Sequence, residues 1–276
     1  MGILLWIPAA LLLASGGYLF LIAPGMKKSK AHFRGLLSFH YAHRGLHDAS
    51  VPENSLAAFR RAMEKGYGIE LDVHLTKDGR IAVHHDGSIL RICGAEREIR
   101  ASTLEELRQY PLGKTAERIP ALEEVLDLIQ GRVPLLIELK PDRLGDKALA
   151  EKLLSCIADY PGKYCVQSFD PLILRRFKKH APHVIRGQLA WNRRPKPGKK
   201  RPLWAWMAAH LLFNFLSRPD FVAYDHESDH NFSFRMVRTL FRPVLAAWTV
   251  RSQEDSESLK GRYDLQIFEA FDPRPQ

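Results

Sequence analysis

The chain has 276 residues, 46% of them apolar, enough to bury one substantial core, and a barrel of about 250 residues is an ordinary single domain. Three scattered cysteines, Cys93, Cys156 and Cys165, exclude a disulfide framework and, without metal-ligand spacing, a zinc site. The net charge of +10 comes with no recognition motif and no basic ladder interleaved with aromatics, which excludes a nucleic-acid partner and favours an anionic membrane surface; no protein partner is indicated.

No charged residue occurs between Gly2 and Met26, and residues 3–23 are almost wholly apolar, close to the ~20 residues that cross a hydrocarbon core. A cleaved signal peptide carries basic residues ahead of a shorter apolar run, so the expectation for residues 1–25 is an uncleaved transmembrane helix. Lys27, Lys28, Lys30 and Arg34 follow in a basic juxtamembrane linker over 26–37. By the positive-inside rule they place the rest of the chain, 38–276, in the cytoplasm.

From there strand and helix signals alternate, the pattern of a parallel sheet. Asn54 is predicted to cap a helix reaching Lys65, and Ser102 with Glu105 reads as a capping box. Pro120 fits the first turn of a helix carrying Leu122, Val125, Leu126 and Ile129 and stopped by Gly131, and Asp170-Pro171 opens another. Strand-like runs at Tyr41, Ile69, Ile81, Leu135, Tyr164, Ile185, Phe221 and Val244 make eight, the count of a (β/α)8 TIM barrel of the α/β class. One insertion, 193–217, fits a plain barrel less well. Arg193, Arg194, Lys196, Lys199, Lys200 and Arg201 come with no acid among them, and an apolar run over 203–216 carries Trp204 and Trp206. It reads either as a segment lying at a membrane interface or as an ordinary barrel helix behind a solvated loop.

Residues 41–94 hold polar clusters where a buried β/α unit would place aliphatics. Glu70 and Asp72 stand two apart in one strand, which aims both carboxylates to the same face. Two like charges there need a cation, and a divalent metal is the simplest one. His43 ends the first strand and His85 the third, with His84 facing the other way; Glu138 and Lys140 repeat the two-residue spacing. Three oxygen ligands suit one hard ion, Mg2+ or Ca2+, better than zinc.

His43-Arg44-Gly45, Pro52-Glu53-Asn54-Ser55, Glu70-Leu71-Asp72-Val73 and Val83-His84-His85-Asp86 come in order. They are followed by Ile119-Pro120-Ala121-Leu122, Leu136-Ile137-Glu138-Leu139-Lys140, Gln167-Ser168-Phe169-Asp170 and Trp248-Thr249-Val250. In that register the chain resembles the glycerophosphodiester phosphodiesterase family over most of its length after Leu37. The resemblance implies a TIM barrel with Glu70, Asp72 and Glu138 as metal ligands, His43 and His85 as general base and acid, and Arg44 and Lys140 as phosphate-contacting cations. It implies hydrolysis of glycerophosphodiesters to an alcohol and glycerol 3-phosphate. Where the family commonly continues Trp-Thr-Val with Asn and closes on a Thr-Asp-Xaa-Pro turn, this chain has Arg251 and then Ile267-Phe268-Glu269-Ala270-Phe271-Asp272-Pro273, a departure that touches the alcohol-binding rim. The competing readings are a lysophospholipase D acting on membrane lysolipids and a catalytically silent membrane-bound binding module.

Overall fold

A computed structural model describes residues 2–25, 30–195 and 198–273, with side chains from Pro8 onward; Lys27, Lys28 and Lys196 of the two basic clusters lie outside the described residues. Eight parallel strands close into a barrel in the order β1 (Tyr41–Ala42), β2 (Gly68–Leu75), β4 (Leu135–Leu139), β5 (Tyr164–Ser168), β6 (Arg186–Ala190), β7 (Phe221–Asp225), β8 (Val244–Val250) and β9 (Leu265–Phe268). Pairing of β9 with β1 and of β1 with β2 completes the ring.

The membership of that ring differs from the sequence expectation in one strand. The run at Ile81 is β3 (Ile81–Val83), which pairs antiparallel with β2 as a hairpin outside the ring, and the eighth barrel strand is β9. The reason is the length of the connection. Thr76 and Arg80 are hydrogen-bonded across a turn in which Gly79 takes a φ of 74°, and so short a link permits only antiparallel return.

Alternation along the barrel strands divides the core in two. Ile69, Leu71, Val73, Leu135 and Ile137 pack outward against Phe59, Ala62, Val125 and Leu126 of the surrounding helices. Tyr41, Leu136, Cys165, Leu189, Phe221 and Ala223 fill the inside of the barrel. Because Leu136 points inward, Glu138 does too, one layer nearer the C-terminal mouth, and Glu70 and Asp72 follow from the outward parity of their neighbours.

Residues 30–37 of the expected basic juxtamembrane linker pack onto the barrel. Phe33 (2% exposed) and Leu36 (3%) close the foot of the barrel, Phe33 edge-on to Phe221, while the Tyr41 hydroxyl donates to the Leu36 carbonyl. Lys30 pairs with Asp264 rather than standing ready for lipid. Phe33→Ala is therefore expected to destabilise folding by about 3–5 kcal/mol, measured as a lower denaturant midpoint; an unchanged midpoint would show that the plug is dispensable.

The expected membrane span coincides with a helix, α1 (Gly2–Ile22). Among the described residues no helix is long and apolar enough to cross a membrane. The C-terminal end of α1 docks on the barrel: Asn214 Nδ2 donates to the Ile22 carbonyl, Arg218 to the carbonyls of Phe20 and Ala23, and Gly25 N–H to Pro219. Residues 8–17 are exposed, with Leu11, Leu12 and Leu13 at 63, 77 and 76%.

Residues 203–216 are not one interfacial helix. They form Leu203–Ala209 and Asn214–Ser217 around a turn that buries Leu211 and Leu212 in the core, so only Leu203, Trp204 and Trp206 of the run stand out as exposed large side chains. The basic loop is partly internal as well. Arg193 pairs with Asp225 and Glu227, and Arg201 donates to Asn192 and to the Arg193 carbonyl.

Candidate active site

His43-Arg44-Gly45 turns the chain sharply off β1. The His43 N–H donates to the Phe268 carbonyl of β9, Arg44 has a φ of 57°, and Gly45 a φ of 80°. A Cβ on Gly45 would also stand 2.8 Å from that of Ala58, so the position requires glycine twice over. The turn aims the Arg44 N–H at Glu70 Oε2, 3.0 Å away, and the guanidinium at Glu53 (2.8 Å) and Asp72 (3.5 Å).

Glu70, Asp72 and Glu138 offer one oxygen each within 4.8 Å of one another, all buried. Lys140 Nζ lies 3.1 Å from Asp72 Oδ1 and 2.6 Å from Glu138 Oε1, yet neither oxygen accepts a well-aligned hydrogen bond. Burial pushes the Glu70 carboxyl well above the usual range, with Asp72 and Glu138 adding to it. Burial likewise lifts Glu138, to about 7, against the pull of Lys140. Asp72 is as deeply buried, but Lys140, His85 and Arg44 outweigh that cost and hold it below the ordinary value. Three such groups cannot all ionise without further positive charge. An all-oxygen donor set with two under-used oxygens fits a hard divalent ion.

The two histidines flank this cluster in one cavity of about 440 Å³ at the mouth, which Arg44, Glu138 and Lys140 also line. His43 Nδ1 faces Glu269 Oε2 at 3.0 Å and His85 Nδ1 faces Asp86 Oδ1 at 2.7 Å. A carboxylate can only accept, so each Nδ1 carries the hydrogen and each Nε2 is the atom presented to the cavity. Burial lowers both histidines from their ordinary value, opposed in His43 by Glu269 and in His85 by Asp72. All seven expected site residues thus meet at the mouth, and Phe169 and Trp248 form an apolar wall beside them with ring centroids 5.6 Å apart.

Two supporting residues, Glu269 and Asn54, escaped the sequence reading of roles. Glu269 orients His43, and its own carboxyl is lowered to about 2, first by that hydrogen bond. Asn54 does not cap the helix Leu56–Glu64: Ser55 does, while Asn54, buried at a φ of 54°, donates from Nδ2 to Asp72 Oδ2 at 2.9 Å. Glu53 joins Arg44 to Arg91, which also reaches Asp86.

His84 faces away from the cavity, buried and lowered to about 4, first by desolvation and then by His74. A depressed histidine leaves stability intact above pH 6.5 and removes it as the unfolded chain takes up a proton between pH 6.5 and 4, by up to about 3 kcal/mol. His84→Leu is expected to remove that part of the Tm–pH slope while turnover persists. An unaltered slope would assign the effect elsewhere.

A sequence model of the glycerophosphoryl diester phosphodiesterase family matches residues 43–263. A glycerophosphodiester phosphodiesterase of Caldanaerobacter subterraneus subsp. tengcongensis is 42% identical over 158 residues, 54% of this chain and 65% of that protein. A putative glycerophosphodiester phosphodiesterase of Bacillus subtilis is 30% identical over 234 residues, covering 79% of this chain and 88% of its own. In fold, a phosphodiesterase of Oleispira antarctica in complex with the product sn-glycerol-3-phosphate superposes with a TM-score of 0.69 at 22% identity, over 85% of this chain and 94% of that one. Sequence, motif order and barrel agree, and the chain belongs to the glycerophosphoryl diester phosphodiesterase family.

Proposed function

We propose that the chain is a metal-dependent hydrolase that converts glycerophosphodiesters to an alcohol and glycerol 3-phosphate. The observation that carries this reading is the buried trio Glu70, Asp72 and Glu138 set between His43 and His85 in one cavity. A silent binding module has no need for so costly a cluster. When bound, a divalent ion supplies charge neutralisation at the phosphate and a lowered pKa for an attacking hydroxyl. A hydroxyl of the substrate's glycerol is the first nucleophile, and water completes the hydrolysis. His43 Nε2 takes the proton of the attacking oxygen, His85 Nε2 returns one to the departing alkoxide, and Arg44 and Lys140 hold positive charge where the phosphate gathers negative charge. Product analysis on glycerophosphocholine, with and without chelator, tests the reading.

We also propose that α1 anchors this domain to a membrane on its cytoplasmic side. The support is the uncharged stretch from Gly2 to Met26 followed by four cations. A reporter fused to the C-terminus is expected to be active in the cytoplasm, with the N-terminal helix retained; activity only on the far side of the membrane would reverse the topology.

A further inference from the structure

Gln167 lines the catalytic cavity at 1% exposure, and its amide oxygen finds no hydrogen-bond partner among the described residues. A buried oxygen left without a donor or a cation is costly. Its place follows from β5. Cys165 fills the inside of the barrel, so Gln167, two residues on, points the same way, one layer nearer the mouth. The strand register sets Gln167 directly beside Glu138 of β4. Ser168 holds the strand end there, its hydroxyl donating to the Leu139 carbonyl at 2.8 Å and accepting from the Asp170 N–H at 3.1 Å.

Gln167 Nε2 donates to Glu70 Oε1 at 3.4 Å, at the long end of such bonds. An ionised carboxylate only accepts, which fixes the amide with its nitrogen toward Glu70 and leaves the oxygen free. Asp72 Oδ1 and Glu138 Oε1 are under-used in the same way, so three neighbouring strands, β2, β4 and β5, each bring such an oxygen to one place. An amide carbonyl is an ordinary ligand of a hard cation and adds no charge. Neutrality matters here. Burial already lifts the Glu70 and Glu138 carboxyls, and a fourth carboxylate would be harder still to ionise.

From this geometry we infer that Gln167 Oε1 is a fourth, neutral oxygen ligand for the divalent ion, beside Glu70, Asp72 and Glu138. The inference rests on the proposed metal centre and deepens it: the ion site then draws on β5 as well as β2 and β4. Gln167 takes no proton in the reaction and acts through the ion, which makes it a positioning residue.

The test titrates the full chain, stripped of metal, with Ca2+, read by calorimetry and by the rise in Tm. Gln167→Met, or Gln167→Leu should the first variant misfold, removes the hard oxygen and keeps a side chain of similar size. Either is expected to weaken Ca2+ binding by about tenfold or more, since even partners behind the ligands are worth about 10–100-fold. Gln167→Glu keeps an oxygen in place and loses the donor to Glu70. At alkaline pH it is expected to lower Tm without the ion, to bind Ca2+ at least as tightly as the parent, and so to show a larger ion-dependent rise. Parental Ca2+ affinity in Gln167→Met overturns the inference, and a raised KM in that variant would give the oxygen to the substrate instead. Gln167→Glu binding as weakly as Gln167→Met overturns it too, because the residue would then act through Nε2 on Glu70. Variant-sensitive Ca2+ binding in a chain that turns over no diester supports the ligand and overturns the enzymatic reading.

Discussion

Asp72→Asn and Glu70→Gln are each expected to cut hydrolysis of glycerophosphocholine by about 10³-fold or more, the equivalent of several kcal/mol of transition-state stabilisation at 1.36 kcal/mol per tenfold. The same variants should lose the rise in Tm that Ca2+ or Mg2+ gives the parent protein, because a ligand that binds only the folded state stabilises it in proportion to its affinity. The two readouts guard against different errors. Asp72 is held by Asn54 Nδ2 and faces Lys140, so its neutral amide isostere keeps the packing and removes the charge. In Glu70→Gln the Arg44 N–H can still meet an oxygen, so the turn off β1 persists. A variant that keeps its ion-dependent rise in Tm while losing turnover would place the ion elsewhere.

His43→Ala and His85→Ala are each expected to lower turnover by about 10²–10⁴, the range for loss of a general acid or base, without loss of the fold. Glu269→Gln addresses how His43 is held. Its carboxylate raises His43 against the lowering effect of burial, so removing it should move the acid limb of kcat/KM, already below the ordinary histidine value of 6.5, to still lower pH. The sign follows from His43 acting neutral: a lower histidine pKa keeps the base available further into acid. Turnover should fall as well, since the amide no longer fixes the Nδ1–H tautomer. A limb that moves upward, or a His43→Ala variant with parental turnover, would remove His43 from the role of base.

How much of this was legible in the chain depended on the range of the signal. Glu70, Asp72, Glu138 and Lys140 lie together as the two-residue spacings predict, because strand alternation is local and such a spacing fixes the face whatever the rest of the fold does. The membership of the ring was not local. The run at Ile81 looks like any other strand until Asp78-Gly79 is read as a hairpin turn that forbids a parallel return. With that strand counted into the barrel, Leu265–Phe268 went uncounted, and with it Glu269. Leu265 and Ile267 point into the barrel, and the same alternation carried on two residues brings Glu269 to His43. Asn54 shows a different gap: its composition suits a helix cap, and the competing acceptor that claims it, Asp72, lies on the next barrel strand. In 203–216 the apolar run mixes two destinations, since Leu211 and Leu212 close the core while Trp204 and Trp206 face out, a division that only the turn at 210–213 creates.

An all-oxygen, ion-loaded centre is expected to cleave a glycerophosphodiester on the head-group side. Phosphorus NMR of the metal-stripped full chain with glycerophosphocholine, followed by addition of Mg2+ or Ca2+, tests it in one sample. The predicted result is an unchanged substrate signal before the ion and conversion to glycerol 3-phosphate, with choline released, after it. Turnover that proceeds without the ion, or phosphocholine as the phosphorus-bearing product, would contradict the account.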